Sequence, residues 1–305
     1  MPVTSRTSRT DVLTRAALLL ALLAATPAWS RPAFFWRTDS GTFVAIDYLD
    51  LRQSTFLDGN GGIDGTRSLV AAQYAPGHDS SAVLGFGHEY NALAIAQPGL
   101  PEPQTNGDLH TLHLASQWRS KLAGGDFRVA AAPAVSVSSN ALKNPDVLNS
   151  DSLQLWGAAL YSRSAGGVRW ILGAARDFRF GEGRVYPVAG FEWHHETLSL
   201  RATYPDIQLT WRLSGRWVLK GELAPDGNAW QAFRRDLREE DGFYREAWAA
   251  QLGLVHRFGN GLQVGFLAGL HWDQRWQYRL QNGDLATPRG DSSAFLGVHL
   301  GWGVP

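Results

Sequence analysis

The stretch 261–273 constrains this chain more than any other. Its even positions Leu262, Val264, Phe266, Ala268, Leu270 and Trp272 are apolar, while Gln263, Gly265, Gly269, His271 and Asp273 on the odd positions are small or polar. Only a β-strand has that period of two. The pattern returns in nearly every later segment, with Trp or Phe near the strand ends and Gly on the polar face. Together these features predict an all-β fold, a transmembrane antiparallel up-and-down β-barrel with apolar side chains toward lipid and small or polar ones toward the lumen. A soluble secreted β-sandwich is the alternative at the level of fold, and extraction without detergent would favour it.

The N-terminus agrees with export. Arg6, Arg9 and Arg15 precede the apolar run 16–25, and small residues follow at Thr26, Ala28 and Ser30. The pattern reads as a secretory signal peptide over 1–30, with cleavage after Ala28 or Ser30. Arg6 and Arg9 are not adjacent, against a twin-arginine route, and no Cys follows to take a lipid anchor. Residues 31–41, with the aromatic trio Phe34, Phe35 and Trp36, then form an N-terminal periplasmic segment before a barrel domain over 42–305.

Removing 1–30 takes three of the 28 basic and one of the 28 acidic residues, leaving 25 against 27 and a formal charge of −2. That balance suggests no nucleic-acid partner. The chain has no Cys and its only Met is the initiator, so neither disulfides nor thiolate metal sites hold the fold. After the leader no run reaches the ~18 to 20 apolar residues of a membrane helix. The mean hydropathy is slightly negative, which a barrel tolerates because alternate residues face water.

Strands are expected at 42–53, 66–75, 80–93, 108–120, 126–138, 151–163, 167–180, 184–194, 197–204, 207–213, 217–223, 244–258, 262–281 and 292–303. That makes about fourteen, an even number as a closed single-chain barrel has. With both termini periplasmic, the turns at 76–79, 121–125, 164–166, 195–196, 214–216 and 259–261 are short. The outer connections at 54–65, 94–107, 139–150, 224–243 and 282–291 are long. Phe258 and Leu262 pair across a three-residue turn ending in Gly261, and Leu213 and Trp217 across Ser214-Gly215-Arg216. A two-residue loop is expected at Pro205-Asp206. The strands 197–204 and 207–213 are shorter than a bilayer crossing needs, and twelve strands result if that pair lies outside the membrane.

Trp118, Trp193, Trp211, Trp217 and Trp302 fall near periplasmic ends and Trp248, Trp272 and Trp276 toward outer ends, as two interfacial girdles require. Trp156, mid-strand with polar parity, does not fit. In the last strand Gly297, Leu300 and Trp302 resemble the C-terminal signal read by the bacterial barrel-assembly machinery, although the chain runs on to Pro305.

The stretches Tyr186-Pro187-Val188-Ala189-Gly190-Phe191-Glu192-Trp193, Tyr204-Pro205-Asp206 and Trp211-Arg212-Leu213-Ser214, and less distinctively Tyr244-Arg245-Glu246 and Phe295-Leu296-Gly297, resemble an uncharacterised family of proteobacterial outer-membrane β-barrel proteins with no assigned activity. The resemblance covers roughly 150–303. It implies location and fold and transfers no catalytic residue. The environment it implies has outer-membrane lipid, lipopolysaccharide and the assembly machinery as partners.

Inward parity predicts a lumen lined by Arg169, Asp177, Arg179, Glu192, His194, Gln208, Arg212, Lys220, Glu222, Gln251, Arg257, Gln263, His271 and Asp273. Such mixed charge serves either an open channel for small polar solutes or ions, or a closed barrel whose interior is salt-bridged. The closed form would act as a structural or interaction barrel of the envelope. The pairs Glu192/His194 and His271/Asp273 admit a third function, a lipid-modifying hydrolase, but no Ser is placed beside either by sequence. His194-His195 is a poor metal site because strand neighbours point apart. The charged run 234–241 reads as a solvated outer loop, with cation bridging to lipopolysaccharide as the alternative. Gly59-Asn60-Gly61-Gly62 lacks the Lys and helix of a phosphate loop. No cofactor is implied.

Overall fold

The computed structural model describes residues 42–59, 61–75, 81–96, 107–234, 239–279 and 284–304. The expected signal peptide and the segment 31–41 lie outside them. The first strands are β1 (Thr42–Thr55), β2 (Gly62–Tyr74), β3 (Ala82–Ala96), β4 (Gly107–Leu122), β5 (Gly125–Ser138), β6 (Leu153–Ala165), β7 (Val168–Asp177) and β8 (Arg184–His195). There follow β9 (Leu198–Thr203), β10 (Asp206–Arg212), β11 (Trp217–Pro225), β12 (Asn228–Arg234), β13 (Glu239–Arg257) and β14 (Leu262–Arg279), then the short β15 (Leu285–Ala286) and β16 (Arg289–Gly290), and β17 (Ser293–Val304). A four-residue helix, α1 (Ser139–Leu142), follows β5.

Each strand from β1 to β11 pairs antiparallel with the next; β11 pairs with β13, β13 with β14, β14 with β17, and β17 returns to β1 from Thr42↔Val304 to Leu51↔Phe295. The wall is a closed antiparallel barrel of fourteen strands. Closure leaves no sheet edge, which excludes the sandwich. β9 and β10 are short yet carry full ladders to β8 and β11, so the twelve-strand alternative is also corrected. Hydrogen bonding by neighbours, not length, keeps them in the wall.

The alternation of the sequence becomes two faces. Outward, Leu84, Leu114, Leu172, Val185, Phe266 and Leu270 are more than half exposed. A contiguous apolar exterior of this kind is a lipid-facing surface rather than a water-facing one. Inward, β4 to β8 present a low apolar wall, with Ala130, Ala132, Ala134 and Ala158 around Trp156, Leu160 and Val188. Trp156 therefore belongs to the lumen: its Nε1 donates to Gln154 Oε1 at 2.9 Å.

Turn chemistry holds the register where expected. Phe258 N donates to Leu262 O at 2.8 Å, with Gly261 at φ +86°. The β9–β10 loop differs by one residue. Asp206 pairs with Thr203, so the two-residue loop is Tyr204-Pro205, joined by a cis peptide bond.

One departure from alternation matters. Between Glu246 and Trp248 the β13–β14 register shifts, and Asp273 takes φ +48°. This bulge on β14 inserts a residue and reverses the parity beyond it. Gln274, Trp276 and Tyr278 turn inward, with Trp276 only 4% exposed. The expectation of Trp276 in the outer girdle and Asp273 in the lumen is corrected for that reason.

Candidate functional site

The stretch expected to be one long outer loop, 224–243, instead contains β12. After Pro225 the chain leaves the wall, with Asp226 N donating to Ala247 O at 2.7 Å. β12 then ladders along the outer part of β13 from Asn228↔Arg245 to Arg234↔Glu239. On its other side Gln231 bridges in parallel to Val137 of β5. In wall order, β5 stands seven strands from β13, half of the fourteen, so β12 is a strap across the full barrel at its loop end. Gly227 makes the crossing possible: a Cβ there would lie 2.3 Å from Arg245 O and 2.6 Å from Arg179 O.

The strap's root carries a buried cluster of charges. Asp226 accepts from Arg67 Nη1 at 2.9 and 3.0 Å, from Arg245 Nη1 at 3.0 Å and from His271 Nε2 at 2.8 Å. All four side chains are at most 5% exposed. Arg67 Nε also donates to Asn91 Oδ1 at 3.0 Å, with Glu89 Oε1 at 3.6 Å, so two guanidiniums stand against two carboxylates. Asp226 lies in a connection, not a spanning strand. Burial alone would raise its pKa; the charges of Arg67 and Arg245 and the His271 hydrogen bond outweigh it and hold the carboxyl well below the usual carboxylate range.

Further along, Asn228 Nδ2 and Trp230 Nε1 both donate to Thr111 Oγ1 of β4, at 2.8 and 3.0 Å. Phe233 N donates to Ser138 Oγ at 3.1 Å. Trp230 joins a buried apolar cluster with Leu109, Ile63, Leu93, Phe243 and Trp276. Beneath the strap, Asp47, Arg67, Glu89, Asp226, Gln251 and His271 line a cavity of about 20 Å³. That volume holds about one water and no solute.

The expected lumen residues fall into separate groups. Arg169 lies with Glu192 (3.5 Å), Asp126 (3.2 Å) and Ser162 near the turn end, and Arg201 approaches Glu192 at 3.6 Å. Asp177, Arg179, Tyr186 and Asp206 form a buried hydrogen-bonded group beside the β7–β8 loop. Glu222 accepts from Gln251 at 2.8 Å; Lys220 and Arg257 are half-buried. His194 and Arg212 are exposed at the turn-end rim. Asp273 sits outside with Arg275 at 3.2 Å. In β17, Gly297 packs where a Cβ would meet Leu49, Leu300 faces outward, and Trp302 Nε1 donates to Asn260 O.

Neither His–carboxylate pair stays together. Glu192 is turned to arginines, while His194 Nδ1 sits 2.8 Å from Ser199 Oγ, a serine supplied by the neighbouring strand. His271 is held by Asp226 instead of Asp273. Sequence reasoning missed Asp226, Arg67, Arg245 and Asn228. The one signal was Trp230 and Phe233, two large aromatics within a loop otherwise rich in charge. Among the described residues no group of three or more His, Asp or Glu is arranged to hold a metal ion.

No protein-family model and no curated protein sequence matches the chain. Solved structures similar in architecture include the COG4313 outer membrane channel from Pseudomonas putida F1, at 8% identity and TM-score 0.46 over 90% of this chain and 100% of that one. Others are the translocator domain of the autotransporter NalP from Neisseria meningitidis, at 12% identity and TM-score 0.38 over 95% of each, and the Pseudomonas putida toluene transporter TodX, at 8% identity and TM-score 0.31 over 93% and 96%. At these values the likeness says nothing of what this chain does. The resemblance to an uncharacterised proteobacterial family goes no further than the closed antiparallel β-barrel that the strand pairing shows.

Proposed function

We propose that this chain is an outer-membrane barrel offering a gated path for small polar solutes or ions, shut in this state by the β12 strap. The observation that carries the reading is topological: the wall closes through β11, β13, β14 and β17 without β12. Withdrawing the strap breaks none of the ladders between wall strands. The path it would uncover is lined with charges of both signs, including Arg169, Glu192, Glu222 and Arg257, which would set ion selectivity.

Single-channel recording in planar bilayers tests this. The mature chain should be shut most of the time, and Asp226→Ala, which removes the strap's anchor, should give discrete steps. If both are silent while heat-modifiable and β-rich, the closed structural barrel replaces the channel. The apolar exterior supports placement in outer-membrane lipid beside lipopolysaccharide, after export through the signal peptide. Gly297, Leu300 and Trp302 mark the strand segment we assign to the assembly machinery, and slowed insertion of Trp302→Ala checks it.

A further inference from the structure

On the lipid-facing side of β3 and β4, opposite the buried Glu89 and Thr111, lie His88, Tyr90, Asp108 and His110. Ser139, first residue of α1, comes over the rim to meet them. Its Oγ is 2.7 Å from His110 Nε2, and His110 Nδ1 is 3.1 Å from His88 Nε2. The two rings are 5.4 Å apart with planes within 6°. That separation, with the nitrogens in contact, is the geometry of an in-line N–H···N bond. Tyr90 flanks the His110 ring at 4.9 Å and donates its hydroxyl to Asp108 at 2.8 Å.

This is a hydroxyl, a base hydrogen-bonded to it, and a third group bonded to the base's far nitrogen, the arrangement that activates a serine. Its place is also informative. Phe86 and Leu114, paired one rung below His88 and Leu112, are 37% and 64% exposed, and Leu84 is 59% exposed. At a strand rise of ~3.3 Å per residue, His88 stands roughly 7 Å above that apolar surface and His110, which pairs opposite Tyr90, roughly 13 Å above it. An acyl chain lying on the belt and running up the strands can bring its ester to the serine.

We propose that Ser139, His110 and His88 form a hydrolytic site for the ester-linked acyl chains of an outer-leaflet lipid. Ser139 Oγ attacks the ester carbonyl carbon as His110 Nε2 takes its proton. The intermediate collapses, the carbon–oxygen bond to the lipid alcohol breaks, and His110 returns the proton to that oxygen. Water then attacks the acyl-serine, giving its proton to His110, and fatty acid leaves with Ser139 restored. Ser139 and His110 are the catalytic residues. His88 is a positioning residue, accepting from His110 Nδ1–H so that Nε2 faces the hydroxyl. The site depends on the barrel lying in lipid but not on an open lumen.

The test uses the mature chain in phosphatidylethanolamine vesicles and in lipopolysaccharide vesicles, with fatty-acid release as readout and a fluorophosphonate probe mapped by peptide mass. Adduct on Ser139 together with release supports the site, and the vesicle type that yields acid identifies phospholipid or lipopolysaccharide as source. Ser139→Ala and His110→Ala should each lower release about a thousandfold at unchanged heat-modifiability. His88→Ala should lower kcat about tenfold with KM unchanged, partly rescued by His88→Gln, whose amide oxygen can accept the same bond. Folded wild-type protein that takes no adduct at Ser139, or releases no acid from either vesicle, overturns the proposal, and mapping on the wild type decides even if a variant misfolds.

Discussion

The two ends of the lumen each hold a carboxylate ringed by cations, and they behave as different objects. At the loop end Asp226 meets Arg67, Arg245 and His271, every partner sealed beneath β12. At the turn end Asp126 meets Arg119 at 3.0 Å, Lys121 at 2.7 Å and Arg169 at 3.2 Å, but Lys121 is 82% and Arg119 35% exposed. Coulomb attraction is similar in distance and unlike in effect. Water screens one set, while the other has only its partners to replace lost hydration. The first is a clamp and the second a solvated rim.

The largest effect is expected at the clamp itself. Asp226→Ala leaves Arg67 and Arg245 buried without their acceptor, a loss of ~3–5 kcal/mol, the usual cost of breaking one partner from a buried pair. Denaturant unfolding of vesicle-inserted protein should show it, and protease should reach the freed strap. Gly227→Val comes next, since backbone atoms already occupy the Cβ position and overpacking costs ~1–3 kcal/mol; the same protease assay should cut β12. Asn228→Ala removes one hydrogen bond to Thr111 and should cost about 1 kcal/mol. Lys121→Ala at the turn end should change unfolding by less than ~0.5 kcal/mol. A Lys121 variant as damaging as the Asp226 variant would abolish the distinction between the two ends.

Acid sharpens the same contrast. Because Asp226 is held below its ordinary value, its contribution is complete above the unfolded-state pKa of ~3.9 and fades only as pH falls through the lower folded value. Between pH 7 and about 4.5 the share of stability that Asp226 supplies should therefore not fall, so the unfolding difference between wild type and Asp226→Ala should be at least as large at pH 4.5 as at pH 7. A difference that shrinks across that window would show that Asp226 does not hold the strap as a carboxylate.

The two Ser–His contacts follow the same logic of surroundings. Ser199 and His194 sit at an exposed rim beside Glu192, which is committed to Arg169 and Arg201. Ser139 and His110 have His88 behind them and an apolar surface below. α1 also touches the strap's neighbourhood, since Ser138, its N-cap, holds Phe233 N.

What the sequence determined by itself was the wall. Alternation, short against long connections, and turn residues such as Gly261 are local properties, set by pleat geometry within a few residues. They suffice for fourteen strands and for which face of 262–270 meets lipid. What only the tertiary structure decided was everything resting on contacts between distant parts of the chain. Asp226 finds Arg67 across 159 positions. Ser139 finds His110 across 29, and His110 finds His88 across 22. The left-handed turn at Asp273 that moves Trp276 inside belongs to the same class, because a bulge is defined by the partner strand's register and leaves no periodic trace. Pattern reports the period of a single strand; it carries no record of the opposite wall that a closed barrel brings within hydrogen-bond reach.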